Sequence, residues 1–212
     1  MFLLALFEKN GNIHFTSKHA NLLNIKSFCG STESSSISID DLYKYDDCST
    51  DKSSNYTCSA NSSLVFDTDH YIFSNTATGD KLCTVATGLT GNYQFEAIMK
   101  LPNRNGGLYH NGGLGTYLTN YGKYSKTILA HGNGWQVVKE VNTVINATDY
   151  YKYILISNNG TISVEIQTLD GTSLFTSSWS TSVSSQQFNI LCQDPNSTNQ
   201  QILIKEIKIK EL

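Results

Sequence analysis

What most limits the folds open to this chain is the spacing of its apolar residues. Nowhere do they recur at i, i+3, i+4 and i+7, whereas alternation with period two returns about every 8 to 12 residues between turn signals. An amphipathic helix needs the first spacing and a half-buried strand the second, so the chain is expected to be all-β, a sandwich or a barrel. In "NYQFEAIMKL", Tyr93, Phe95, Ala97, Met99 and Leu101 share one face, with Gln94, Glu96 and Lys100 on the other. "DYYKYILISNNGTISVEIQTLDGTSLFTSSW" reads as a three-strand meander, Ile162, Val164 and Ile166 alternating at its centre and Asn159-Gly160 and Asp170-Gly171 making the turns. In "QQILIKEIKIKEL", Ile202 and Ile204 are out of phase with Ile207 and Ile209. A β-bulge near Lys205 and Glu206 restores the register, and the lysines suit a protected edge strand.

A chain of 212 residues is of the size at which an all-β sandwich forms one core. The first 45 residues read differently: a hairpin around Asn10-Gly11, then the serine-rich "CGSTESSSIS". Residues 1–45 are therefore expected to form an attachment segment and residues 46–212 the sandwich. "MFLLALFEKNGNIHF" carries six apolar residues after Met1, with no positive charge ahead of them and no small-residue cleavage site behind, and is not read as an export signal. No run approaches the roughly 20 apolar residues that span a bilayer, so membrane insertion is not expected. With a net charge of −3 and no run of lysine or arginine, nucleic acid is not an expected partner.

Five cysteines (Cys29, Cys48, Cys58, Cys83 and Cys192) form no CxxC pair, which argues against a zinc knuckle or a redox motif. Cys192 continues the alternation of Phe188 and Ile190 and is read as a buried free thiol. Cys48 and Cys58 are near enough in sequence to be bridged, which sequence alone does not decide. Five N-x-S/T sites, at Asn55, Asn61, Asn146, Asn159 and Asn196, are about what chance gives in a chain so rich in Asn, Ser and Thr. "NRNGGLYHNGGLGTYL" has the look of a phosphate loop, but no helix follows to aim its N–H groups at an anion. Asn105-Gly106 and Asn111-Gly112 read instead as tight turns that present Tyr109 and His110 at the mouth of the sandwich.

At "YKYDDCSTDKSSNYT", "SLVFDTDHYIFSN" and "NYQFEAIMKLP" the chain resembles the opening of many concanavalin A-like domains. There a "DDFS" or "DDCS" type stretch precedes a short strand and then an extended one ending in Leu-Pro. "YYKYILISNNGTISVEIQTLDG" looks like the paired strands of laminin-G-type members, and "ILIKEIKIKEL" like their closing strand. The resemblance covers roughly residues 46–212. It implies a jelly-roll sandwich of two antiparallel sheets, with carbohydrate or another protein held on a concave face or rim loops. It further resembles modules of viral tail or baseplate proteins and of microbial surface adhesins.

Glycoside hydrolases of this class carry an E-x-D-x-x-E strand, which is absent: Glu96, Glu140 and Glu165 each lack a carboxylate two or four residues away. Asp67 and Asp69 have a spacing that calcium could use, but are read as a turn, as are Asp46 and Asp47. No cofactor is expected. Sugar recognition combines flat aromatic faces with amide and hydroxyl hydrogen bonds, and candidates gather in one region: Tyr109, His110, Tyr117, Tyr121, His131 and Trp135, with Tyr124 among them. The expectation is a non-enzymatic attachment module of a virion or cell surface. Its partners are host-surface glycan and, through residues 1–45, other virion or surface-structure proteins or copies of itself. The alternatives are a purely structural virion protein and a polysaccharide-cleaving enzyme.

Overall fold

The computed structural model describes residues 6–8, 12–14, 42–103, 106–111, 113–119, 127–131, 137–141, 145–192 and 199–212. The chain divides into two units, residues 1–38 and 39–212. In the first, β1 (Leu6–Glu8) and β2 (Asn12–His14) pair antiparallel, Leu6 opposite His14 and Glu8 opposite Asn12; Asn10 and Gly11 lie outside the described residues.

In the second unit the described residues form two antiparallel sheets and no α-helix. One sheet has seven strands in the order β12 (Val137–Val141), β11 (Thr127–His131), β10 (Gly113–Thr119), β9 (Gly106–His110), β16 (Gln186–Cys192), β7 (Lys81–Leu89) and β4 (Thr57–Cys58). The other runs β15 (Ser173–Ser180), β14 (Thr161–Gln167), β13 (Tyr151–Asn158), β8 (Tyr93–Lys100), β17 (Gln201–Glu211), β6 (His70–Asn75) and β5 (Ser62–Asp67), with β3 (Leu42–Asp46) as its eighth strand, paired to β17. β3 pairs with β17, so residues 42–46 belong to the eight-stranded sheet.

Local sequence accounts for much of the larger sheet. Tyr93, Phe95, Ala97, Met99 and Leu101 are buried while the residues between them are not. Asn159 and Gly160 take φ of 48° and 74°, the pair of left-handed residues that a two-residue hairpin needs, and they join β13 to β14 in the expected meander. The register of β17 on β8 slips between Ile204 and Glu206, and this bulge lets Ile202, Ile204, Ile207 and Ile209 all reach the core. The expectation of an edge position for this strand is corrected. β17 is central, with β8 on one side and β6 then β3 on the other; eleven residues are long enough for two successive partners.

The core lies between the sheets. Phe95 of the larger sheet meets Phe188 of the smaller edge-on, ring centres 5.6 Å apart, among Phe73, Met99, Leu108, Tyr153 and Leu155. Cys58 and Cys83, directly opposite across β4 and β7, are disulfide-bonded. Cys48 and Cys192 are buried free thiols, and burial pushes the Cys48 thiol up to about 12.

Gly106 explains part of the glycine-rich stretch. Its φ is +150°, and a Cβ there would lie 2.6 Å from both the Leu191 carbonyl oxygen and Ile202 Cδ1. Glycine lets β9 pack closely at the point where it begins; Gly112 lies outside the described residues.

Candidate functional site

Strand pairing sorts the candidate residues onto faces. In β9, Leu108 and His110 are paired with Ile190 and Phe188, all four buried between the sheets, whereas Gly107 and Tyr109 pair with Leu191 and Asn189 on the opposite, outer face. His110 therefore does not sit at the mouth beside Tyr109. It is 0% exposed, its ring 5.2 Å from that of Phe188, and burial lowers its pKa to about 4. The physical reason is the period of two: adjacent residues of a strand point to opposite faces, and Phe188 claims His110 for the core.

On the outer face of the seven-stranded sheet, Thr84 of β7, Asn189 of β16 and Tyr109 of β9 stand in one row across three adjacent strands. The Asn189 carboxamide oxygen accepts from Thr84 Oγ1 at 2.8 Å and from Gln187 Nε2 at 2.9 Å, and Gln187 Nε2 also reaches Thr84 Oγ1 at 3.3 Å. Two donors on one oxygen fix the orientation of the amide. Asn189 is 0% exposed, and its Nδ2 finds no acceptor among the described residues. Asn111 braces the end of the row: its Nδ2 donates to the Ser185 carbonyl at 2.8 Å and its Oδ1 accepts from the Gln187 N–H at 2.9 Å.

Next to this row, β10 brings the backbone of Tyr117 opposite Gly107 and Leu129, and β11 brings His131 opposite Val137. Both thus belong to the same sheet as Tyr109. Tyr121, Tyr124 and Trp135 lie outside the described residues. Reading the sequence singled out Tyr109 but missed Thr84, Gln187 and Asn189. A polar residue in a buried strand was the available signal, and "QQFNIL" carries it.

The acidic candidates resolve into other roles. Asp67 pairs with His70 across a two-residue turn in which Thr68 has φ of 61°. Asp69 bonds Lys205 at 3.1 Å and His70 at 3.0 Å. Asp47 accepts from the Ser49 N–H at 3.1 Å and closes a turn. Among the described residues no three His, Cys, Asp or Glu side chains converge as metal ligands. On the outer face of the larger sheet a shallow depression of about 290 Å³ has Ile154, Ile156, Ser163 and Thr176 in its wall, and Glu165 is the one carboxylate among its lining residues.

No protein-family model and no curated protein sequence matches the chain. Solved structures do match its fold. A galectin-like protein of unknown function from Bacillus subtilis gives a TM-score of 0.57 at 10% identity, over 80% of this chain and 96% of that one. The exoplasmic/lumenal domain of VIP36 in its Ca2+/Man3GlcNAc-bound form gives 0.53 at 8% identity, over 75% and 86%. A legume lectin-like domain from Entamoeba histolytica gives 0.52 at 7% identity, over 75% and 91%. The fold is accordingly the concanavalin A-like, lectin-type sandwich of two antiparallel sheets that the sequence resembles.

Proposed function

We propose that the chain is a non-enzymatic carbohydrate-recognition module and that the outer face of the seven-stranded sheet is its sugar-binding surface. The observation that carries this reading is the row of Thr84, Asn189 and Tyr109. It offers an aromatic side chain beside hydroxyl and amide groups held in fixed orientation. Tyr117 and His131 stand on strands of the same sheet, and Tyr121 and Trp135 remain candidates on their sequence alone. The VIP36 domain, of like fold, binds Man3GlcNAc. Hydrolysis of a glycosidic bond needs two carboxyl groups facing each other across the sugar, and the depression on the other sheet is lined by Glu165 alone among carboxylates.

The separate unit at residues 1–38 supports an attachment setting, in which it joins the sandwich to a viral tail, baseplate or surface structure and the glycan belongs to the host. A glycan array probed with the whole chain tests the reading. Binding to one class of glycan is expected, lost about ten-fold or more in Tyr109→Ala and in Trp135→Ala while the circular dichroism spectrum is kept. A chain that binds no glycan, or binds equally well without Tyr109 and Trp135, refutes it.

A further inference from the structure

A second cluster, remote in the sheet order from the Tyr109 row, combines an aromatic ring with charge. Lys100 ends β8, Lys205 occupies the bulge of β17, and Tyr150 immediately precedes β13. Their neighbours Met99, Ile204 and Tyr151 are buried in the core, so alternation assigns all three to the outer face of the eight-stranded sheet. Each ammonium nitrogen lies 5.0 Å from the centre of the Tyr150 ring, and the two charges are therefore no more than twice that distance apart.

The charges around them do not balance. Asp69 bonds Lys205 at 3.1 Å, but it also accepts from His70. Glu206 is held by Lys208 at 2.7 Å. Lys100 has the Tyr150 ring as its partner and no carboxylate in ion-pair range among the described residues. Two cations on one ring repel each other, and one shared carboxylate leaves room for a further anion. Burial raises the pKa of Tyr150, which keeps its hydroxyl a donor at neutral pH.

We propose that Lys100, Lys205 and Tyr150 form a second ligand site, one that takes a saccharide bearing a carboxylate or sulfate. The ammonium groups bind the acidic group, and the phenol supplies a flat edge and a hydroxyl for the sugar. A nucleic acid would suit it less well. Asp69 and Glu206 flank the cations and confine the positive potential to a spot the size of one anionic group, where a phosphate backbone needs a continuous track.

The site goes beyond the Tyr109 row and is tested apart from it. Calorimetric titration of the whole chain would compare an oligouronate, a sulfated oligosaccharide, an uncharged oligosaccharide of the same length and a single-stranded oligonucleotide of equal charge. One of the two acidic saccharides is expected to bind about ten-fold or more tighter than the uncharged one. K100Q should lower that affinity about ten-fold, the worth of one charge-assisted hydrogen bond, and leave alone any binding that Tyr109→Ala removes. K100Q breaks no ion pair among the described residues, and an unchanged urea midpoint would verify its fold. Tyr150→Leu should reduce binding of the acidic saccharide as well. The proposal is overturned if neither acidic saccharide binds, if the uncharged one binds as tightly, if K100Q and Tyr150→Leu both bind like the parent, or if the oligonucleotide binds more tightly than either.

Discussion

Removing the carboxylate of Asp46 should cost this sandwich about 4 kcal/mol, and the number follows from who depends on it. Asp46 is 2% exposed, at the end of β3. Its Oδ2 accepts from Tyr56 Oη at 2.7 Å and Tyr71 Oη at 3.1 Å, and its Oδ1 accepts from the Cys48 N–H at 2.9 Å and from Lys52 Nζ at 3.4 Å. These donors would not suffer equally in Asp46→Ala. Lys52 is 38% exposed and would turn to water, and Tyr71 Oη keeps the Thr50 carbonyl at 3.3 Å. Tyr56 Oη and the Cys48 N–H are left buried without an acceptor. At about 2 kcal/mol each the loss is about 4 kcal/mol, within the range of roughly 3–5 kcal/mol for breaking a buried charged network.

Urea unfolding at pH 7, followed by tryptophan fluorescence with a constant slope m, would measure it. Asp46→Asn keeps the Oδ1 acceptor and lets the tyrosine hydroxyls accept from its amide, so it should cost less, about 1–2 kcal/mol. Tyr56→Phe should cost about 1–2 kcal/mol in the parent and close to nothing in Asp46→Ala, since its partner is then already gone. An Asp46→Ala loss below about 1 kcal/mol, or equal costs of Tyr56→Phe in the two backgrounds, would show that the network is not a stabilising unit.

Two further outcomes follow from the core. Gly106→Ala should destabilise by about 3 kcal/mol in the same unfolding assay, because its Cβ meets the Leu191 carbonyl oxygen at 2.6 Å at a φ that L-residues rarely adopt. His110 should make stability fall with acid. Its pKa is lowered by burial to about 4 in the folded chain against about 6.5 unfolded, so the unfolded state binds the extra proton between these values and stability declines as pH drops from about 6.5 to 4. The decline amounts to roughly 3 kcal/mol, and His110→Gln should flatten the urea midpoint over that window relative to the parent.

The features legible in the sequence are those that one strand or one turn decides. Tyr93 through Leu101 announce their inner face by alternation, Asn159-Gly160 announces its turn because few residues take left-handed φ in succession, and the broken phase between Ile204 and Ile207 announces the bulge. The Asp46 network was not legible. "DDCS" fits a local turn, which Asp47 and Ser49 do make, but the tyrosines that make Asp46 a hub come from positions 56 and 71 and arrive only when the chain folds. The bridge from Cys58 to Cys83 was hidden likewise, since it depends on the pairing of β4 with β7.

The candidate site shows why faces are harder to read than strands. Alternation requires Tyr109 and His110 to point in opposite directions, but an aromatic residue beside an imidazole gives no preference for which of them faces inward. The choice belongs to β16. Phe188 and Ile190 occupy its inner face and pull His110 and Leu108 with them, which leaves Tyr109 outside against Asn189. On β16 the pattern itself is obscured, because Phe188 through Cys192 are all buried and a strand covered on both faces has no apolar alternation to display. The recognition row could therefore be located only after the order β7, β16, β9 was known. Its one sequence trace is Asn189, a polar residue between apolar neighbours, whose amide must find a partner or remain a cost.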